Sequence, residues 1–194
     1  TNESETVKNL RACELILQKV IKKHDGRLFN SGGDSFFVEF QSAVEAVECA
    51  VAFQKDIKKR NSSDIITVPL EFRIGISMGD VIKEKENLLG DGVNIAARLE
   101  ALAQTNGITI SKNIYDLVKA KTSHQYNDLC IQKVKKNEFH AYDILLDPSQ
   151  KRKLKTQKSN KPILAIAASF IVIAVVSFLY ITQVNKSKST SDIS

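Results

Sequence analysis

The apolar positions of the chain change period several times, and each change marks an element. Over residues 3–24, Leu10, Cys13, Leu17, Val20 and Ile21 recur at helical spacing and predict an amphipathic helix closed by Asp25-Gly26. Asn2 with Glu5 has capping-box spacing at its start. Residues 27–29 read as a short strand, Asn30-Ser31-Gly32-Gly33 as a tight turn, and residues 34–40 as a second strand with Phe36, Val38 and Phe40 on one face. Ser42-x-x-Glu45 is a capping box opening a second helix that runs to about Arg60, with Val44, Val47, Val51 and Ile57 inward. Residues 70–77 alternate again and turn Leu70, Phe72, Ile74 and Ile76 to the core. A loop to Leu89 leads through Gly90-Asp91-Gly92 into a helix ending near Ala103, with Ile95, Leu99 and Leu102 on its buried face. A strand over 108–111, a helix over 112–119 and two or three strands between Tyr126 and Leu146 complete the series. The pattern predicts an α+β sandwich, a mostly antiparallel sheet with helices on one face.

Residues 162–182 are different in kind: 21 positions without a charge, about 31 Å as a helix, and no polar stripe at any helical phase. They predict one C-terminal transmembrane helix, preceded by a basic linker over 148–161 and followed by a polar tail over 183–194. A secretory signal would stand at the other end of the chain. Six Lys or Arg precede the span, from Lys151 to Lys161, against Lys186 and Lys188 beyond it. The positive-inside rule then places the folded domain in the cytoplasm and the C-terminus outside, a single pass of the cell's inner membrane, with Tyr180 as an interfacial anchor. The lipid bilayer is thus an expected partner, and the basic run is suited to anionic head groups.

Charge sharpens this division. The chain carries 28 Lys and Arg against 22 Asp and Glu, but the first 150 residues hold 20 against 21, so the excess belongs to the tail. A nucleic-acid footprint needs a basic face on the folded part, and no nucleic-acid partner is expected. Cys13, Cys49 and Cys130 are far apart in sequence and odd in number, and no Cys/His spacing suggests zinc. Cys13 and Cys49 fall on apolar helix positions, as buried free thiols in a reducing compartment do.

Two stretches interrupt the plain alternation. In Asn30-Ser31-Gly32-Gly33-Asp34 the glycines permit a sharp turn that presents Asp34 at a strand mouth. Such a carboxylate suits Mg²⁺ shared with a substrate phosphate, and an ordinary hairpin would look the same. In Gly90-Asp91-Gly92-Val93-Asn94-Ile95-Ala96-Ala97-Arg98, Asn94 and Arg98 stand at i and i+4 on one helix face. An amide beside a guanidinium is suited to position a sugar and neutralise a phosphoryl transition state. The plain alternative is a helix N-terminus with a surface arginine.

Together the strings GRLFNSGGDSFFVEF, SAVEAVECAVAFQ, FRIGISMGDV, GDGVNIAARLEALA and GITIS resemble the class III adenylate/guanylate cyclase catalytic domain over residues 1–147. In particular they resemble the bacterial, membrane-anchored type, in which the domain precedes a single membrane helix. The resemblance implies a ferredoxin-like nucleotidyl cyclase sandwich working as a head-to-tail homodimer, with two sites in the interface and two Mg²⁺ or Mn²⁺ ions per site. It implies that Asp34 binds metal, that Asn94 orients the ribose, and that Arg98 stabilises the charged phosphorus as ATP (or GTP) closes to a 3′,5′-cyclic nucleotide and pyrophosphate leaves. Lys135 or Lys136 matches the lysine that grips the terminal phosphates, in a register shorter than usual.

The sequence departs from that family in three places. The strand that carries its other metal aspartate would precede Thr1, which reads as a fragment boundary; the loss of this central strand would expose sheet backbone on both neighbours. A base-selecting lysine is replaced by Asn30, and its frequently acidic partner position falls near Asn87. An amide can face either purine edge, so the expectation of ATP and cyclic AMP rests on family frequency. A guanylate cyclase and a catalytically inactive nucleotide-binding or dimerisation module are the alternatives.

Overall fold

A computed structural model of the chain describes residues 2–32, 35–63, 66, 68–80, 82–84, 87–134 and 137–153. The expected membrane span, the linker beyond Lys153 and the tail lie outside the described residues, as does the question of what precedes Thr1. Among the described residues no helix is long and apolar enough to cross a membrane.

Helix α1 (Asn2–Lys23) and helix α2 (Ala43–Asn61) lie together. Their apolar stripes supply one core, in which Cys13, Leu17, Val20 and Ile21 meet Cys49, Phe53 and Ile57. The Ser42 hydroxyl caps α2, accepting the Glu45 N–H at 3.3 Å. Glu45 does not complete the expected box; its carboxylate bonds His24 Nδ1 at 2.7 Å and ties the start of α2 to the end of α1. Beneath this pair lies the hairpin of β1 (Arg27–Gly32) and β2 (Ser35–Glu39), with Phe36, Val38 and Phe40 packed on the helices as expected. β1 runs three residues past its expected end. A register shift between Leu28 and Ser31 takes up the extra length, and Asn30 lies inside the strand rather than in the turn.

The main sheet has the order β3–β6–β8–β7, from β3 (Ile74–Ile76), β6 (Ile108–Ser111), β7 (Gln125–Val134) and β8 (Asn137–Leu145). Its ladders are antiparallel except for β3 with β6. Strand β3 is much shorter than residues 70–77. Leu70, Phe72 and Ile74 do face the core, but two carbonyls ahead of β3 are taken by α2. Asn61 Nδ2 donates to the Leu70 carbonyl at 2.7 Å and Gln54 Nε2 to the Phe72 carbonyl at 2.9 Å, so these groups are satisfied without a neighbouring strand.

The loop to Leu89 contains a small hairpin of β4 (Ile82–Glu84) and β5 (Asn87–Leu89). Between β5 and β6 comes α3 (Asp91–Leu102), and after β6 the short α4 (Lys112–Val118). The helices do not share one face. Along β8, Tyr142 and Ile144 join the core formed with α2 and α4, whereas Ala141 packs with Leu99 of α3 and Leu129 of β7. Period-two alternation therefore sets α2 and α4 on one face of the sheet and α3 on the other.

Candidate active site

Helix α3 is held closer to its sheet than side chains normally allow. A Cβ on Gly75 of β3 would stand 2.1 Å from the Ala96 carbonyl oxygen and 2.3 Å from the Glu100 nitrogen. One turn earlier, a Cβ on Gly79 would stand 2.9 Å from the Cα of Gly92. The strand and the loop after it thus cross α3 backbone to backbone, and the Ser77 hydroxyl donates to the Gly92 carbonyl at the same crossing. Gly90 begins the helix at φ 140, a conformation open to glycine and strained for other residues. Its carbonyl accepts the Asn94 N–H at 3.2 Å. These four glycines position the helix, and only the Gly90-Asp91-Gly92 pair stood out in the sequence. A glycine inside an alternating strand, as at Gly75, is the signal that marks the rest.

Asn94 is exposed and Arg98 half-buried, one turn apart on α3 as their spacing predicts. Leu99 beside them is fully buried, with Ile95 and Leu102 partly buried against the same cluster. Among the described residues, Arg98 Nη1 is sealed from solvent and has no hydrogen-bond partner. Glu100, two residues on, does not neutralise it, because its carboxylate is held by Arg73 Nε at 2.8 Å. A guanidinium carries five donors in a fixed fork, and burying one without an acceptor is costly. Arg98 is thus a half-buried arginine on the helix rather than one wholly in solvent.

The residues expected to face the base, read from the sequence as lying in a turn and a loop, both fall on strands. Asn30 is on β1 and Asn87 on β5, and β5 contacts both β1 and α3. The side chains of Asn30 and Asn87 are not among those described. Asp34, Lys135 and Lys136 lie outside the described residues. Among the described residues no three His, Cys, Asp or Glu side chains stand together as a metal site, so the expectation of bound metal rests on Asp34. A shallow depression lined by Asp25, Arg27, Glu39 and Gln41 lies at the other end of the β1–β2 hairpin and contains none of the expected residues.

The thiols agree with the sequence. Cys13 and Cys49 are buried and free; burial, reinforced by the nearby Glu45 carboxylate, pushes the Cys49 thiol up to about 11. Burial also raises that of Cys13. Neither is a nucleophile at neutral pH.

Comparison with known proteins bears on the whole of this domain. A protein of Rhizobium meliloti (strain 1021) named "Putative adenylate cyclase 3" is 40% identical over 123 residues, which cover 63% of this chain and 21% of that protein. The chain thus spans about one fifth of the length of this curated relative. The solved adenylate/guanylate cyclase/hydrolase from Silicibacter pomeroyi superposes with a TM-score of 0.63 at 28% identity, covering 68% of this chain and 79% of that one. The adenylyl cyclase CyaB from P. aeruginosa does so with a TM-score of 0.62 at 25% identity, covering 76% and 84%. The sequence model described as "Adenylate and Guanylate cyclase catalytic domain" matches residues 2–145, which is nearly all of the described domain and most of the chain, and to that family the chain belongs.

Proposed function

We propose that this domain converts ATP to 3′,5′-cyclic AMP and pyrophosphate in intracellular signalling, at a site completed by a second copy of the chain. The observation that carries the reading is the buried, unpartnered Nη1 of Arg98, one turn beyond Asn94 on a helix fixed by backbone contact. A donor left without an acceptor in the free protein is matched to an anion that arrives with substrate. In the reaction the ribose 3′-oxygen bonds to the α-phosphorus, the bridging P–O bond to the β-phosphate breaks, and the 3′ proton passes to solvent. Negative charge grows on the non-bridging oxygens and the leaving pyrophosphate. Arg98 stabilises that charge, and Asn94 holds the ribose so that its 3′-oxygen faces the phosphorus. Asp34 is the residue suited to hold Mg²⁺ or Mn²⁺ with the phosphates. Such ions lower the charge on the phosphates and favour ionisation of the attacking hydroxyl.

ATP is favoured over GTP by the name of the 40% identical relative. Fold neighbours include both kinds of enzyme, among them a rhodopsin-guanylyl cyclase with converted specificity in complex with ATPαS and a guanylate cyclase domain in complex with GTP. Another fold neighbour is a non-canonical dimeric guanylyl cyclase domain, and assembly by pairs is part of this reading. Residues 162–182 anchor the protein in the inner membrane, with the domain on the cytoplasmic side. The full-length protein, assayed with ATP and GTP in parallel and Mg²⁺ or Mn²⁺, should release cyclic AMP. Arg98→Ala should lower kcat by about 10²–10³-fold. Cyclic GTP as the main product would replace the substrate, and no product from a folded dimer would overturn the enzyme.

A further inference from the structure

The end of the described domain is fastened to the helix that carries Asn94 and Arg98. Arg152 reaches back across fifty residues, and its Nη2 donates to the carbonyl of Leu102, the last residue of α3, at 2.8 Å. The same guanidinium holds the Asp143 carboxylate, Nε at 2.7 Å and Nη2 at 3.0 Å. Asp143 is buried on β8, where the Thr109 hydroxyl also donates to it at 2.6 Å. The backbone around Arg152 is tied down as well. Asn127 Nδ2 donates to the Arg152 carbonyl at 2.7 Å, and Gln104, just beyond α3, donates from Nε2 to the Gln150 carbonyl at 2.8 Å.

This arrangement supplies what α3 lacks. The last carbonyls of a helix have no intrahelical partner, and its C-terminus favours a cation. No basic residue stands in the last turn of α3. Arg152 provides both the donor and the charge from outside the helix, and Asp143 fixes the guanidinium in a fork that a lysine cannot reproduce. The clamp at Leu102 lies about 6 Å along the axis from Arg98 and about 12 Å from Asn94. Between the clamp and Asn94 lies the Gly75 contact, at Ala96 and Glu100. A helix seated at that contact and held at its end has its axial position and rotation fixed at two points.

We propose that Arg152 is a positioning residue of the cyclase site, setting α3 through the Leu102 carbonyl and Asp143 and so placing Asn94 and Arg98. The inference rests on the reading of those two residues given above.

The test compares Arg152→Ala, Arg152→Lys and the exposed neighbour variant Lys151→Ala in the full-length protein. For each, kcat and KM are measured, together with hydrogen exchange of peptides from α3 and from α2. Arg152→Ala should lower kcat by about 10- to 100-fold, the range for displacement of a reacting group by up to about 1 Å, while KM shifts less than about threefold. Exchange should accelerate in α3 and not in α2. Arg152→Lys should recover part of the loss, and Lys151→Ala should match the parent. Should Arg152→Ala fail to fold, Arg152→Lys and Gln104→Ala, which cuts only the second tether, give the same readout in weaker form. Unchanged kcat per folded molecule, or unchanged α3 exchange, overturns the proposal. A parent protein without product from either nucleotide overturns the catalytic reading and with it the positioning role, whereas accelerated α3 exchange would still establish the clamp.

Discussion

Replacing Gly75 by alanine adds a single methyl group where β3 and α3 touch, and its consequence can be worked from distances. The new carbon would stand 2.1 Å from the Ala96 oxygen and 2.3 Å from the Glu100 nitrogen, where ordinary contact begins at 3.4 Å. Strand and helix must therefore separate by about 1.3 Å, because a closer approach climbs the repulsive wall. Both clashing atoms are backbone, so no rotamer change relieves the contact and α3 must move as a body. Arg98 lies between the two clashing residues, and Asn94 two residues before Ala96. Overpacking of this kind costs about 1–3 kcal/mol, or roughly 2–12 °C in Tm for a domain of this size. Displacement of reacting groups by about 1 Å costs on the order of 100-fold in rate. Initial rates at saturating nucleotide and a thermal melt on the same preparation measure both. A Gly75→Ala protein with parental kcat and Tm would refute the claim that α3 is positioned by backbone contact with β3.

Three further outcomes follow from the same geometry. Cys49, with its thiol at about 11, and Cys13, raised by burial, should resist iodoacetamide at pH 8 in the folded protein, while exposed Cys130 reacts; mass spectrometry of the labelled peptides decides. Removing the Ser42 cap with Ser42→Ala should lower stability by about 1 kcal/mol in a denaturant titration, and an unchanged midpoint would sink the capping role. Asp128 is pushed up by partial burial, but the bonds from His140 and the Cys130 N–H outweigh this and hold its carboxyl below the usual range. A depressed carboxyl stabilises the fold above its unfolded value, about 3.9, and loses that contribution as pH falls through the folded value. The Tm difference between parent and Asp128→Asn should therefore be constant from pH 5 to 6 and shrink below pH 4; a difference independent of pH would refute the assignment.

The elements with strong periodicity were legible in the sequence, and the misjudged ones share a physical cause. The stripes of α1 and α2 and the alternation Phe36, Val38, Phe40 carry enough apolar contacts to fix each element alone. Residues 70–73 carry the same alternation, yet the Leu70 and Phe72 carbonyls bond side chains of α2, and no local pattern records what a distant amide will do. β4 and β5 were invisible because three residues of Ile-Lys-Glu and Asn-Leu-Leu are too few to establish a period. The turn near Asn30 was misplaced because a register shift inside β1 changes strand length without changing composition. At the candidate site, the spacing of Asn94 and Arg98 gave their common face, since helix geometry is local. It gave neither the close seat on Gly75 nor the clamp by Arg152, both of which depend on residues far from the pair in sequence.

The orphaned Nη1 of Arg98 makes stability and activity move in opposite directions, which separates a ligand-seeking arginine from a structural one. A buried donor without a partner costs about 1–3 kcal/mol, of which the exposed part of this half-buried side chain recovers some through solvent. Arg98→Met keeps an apolar stem of similar length on the helix face that also carries Ile95 and Leu102, three and four residues away, and removes the donor. Without nucleotide, that variant should gain about 1 kcal/mol, or roughly 2–4 °C in Tm. With a saturating non-hydrolysable nucleotide the order should reverse, because only the parent forms the charge-assisted bonds that the anion offers. A structural arginine predicts the contrary: loss of Tm in the free protein and no change of order on adding nucleotide. Differential scanning fluorimetry of the two proteins, each with and without ligand, distinguishes the two cases without requiring turnover.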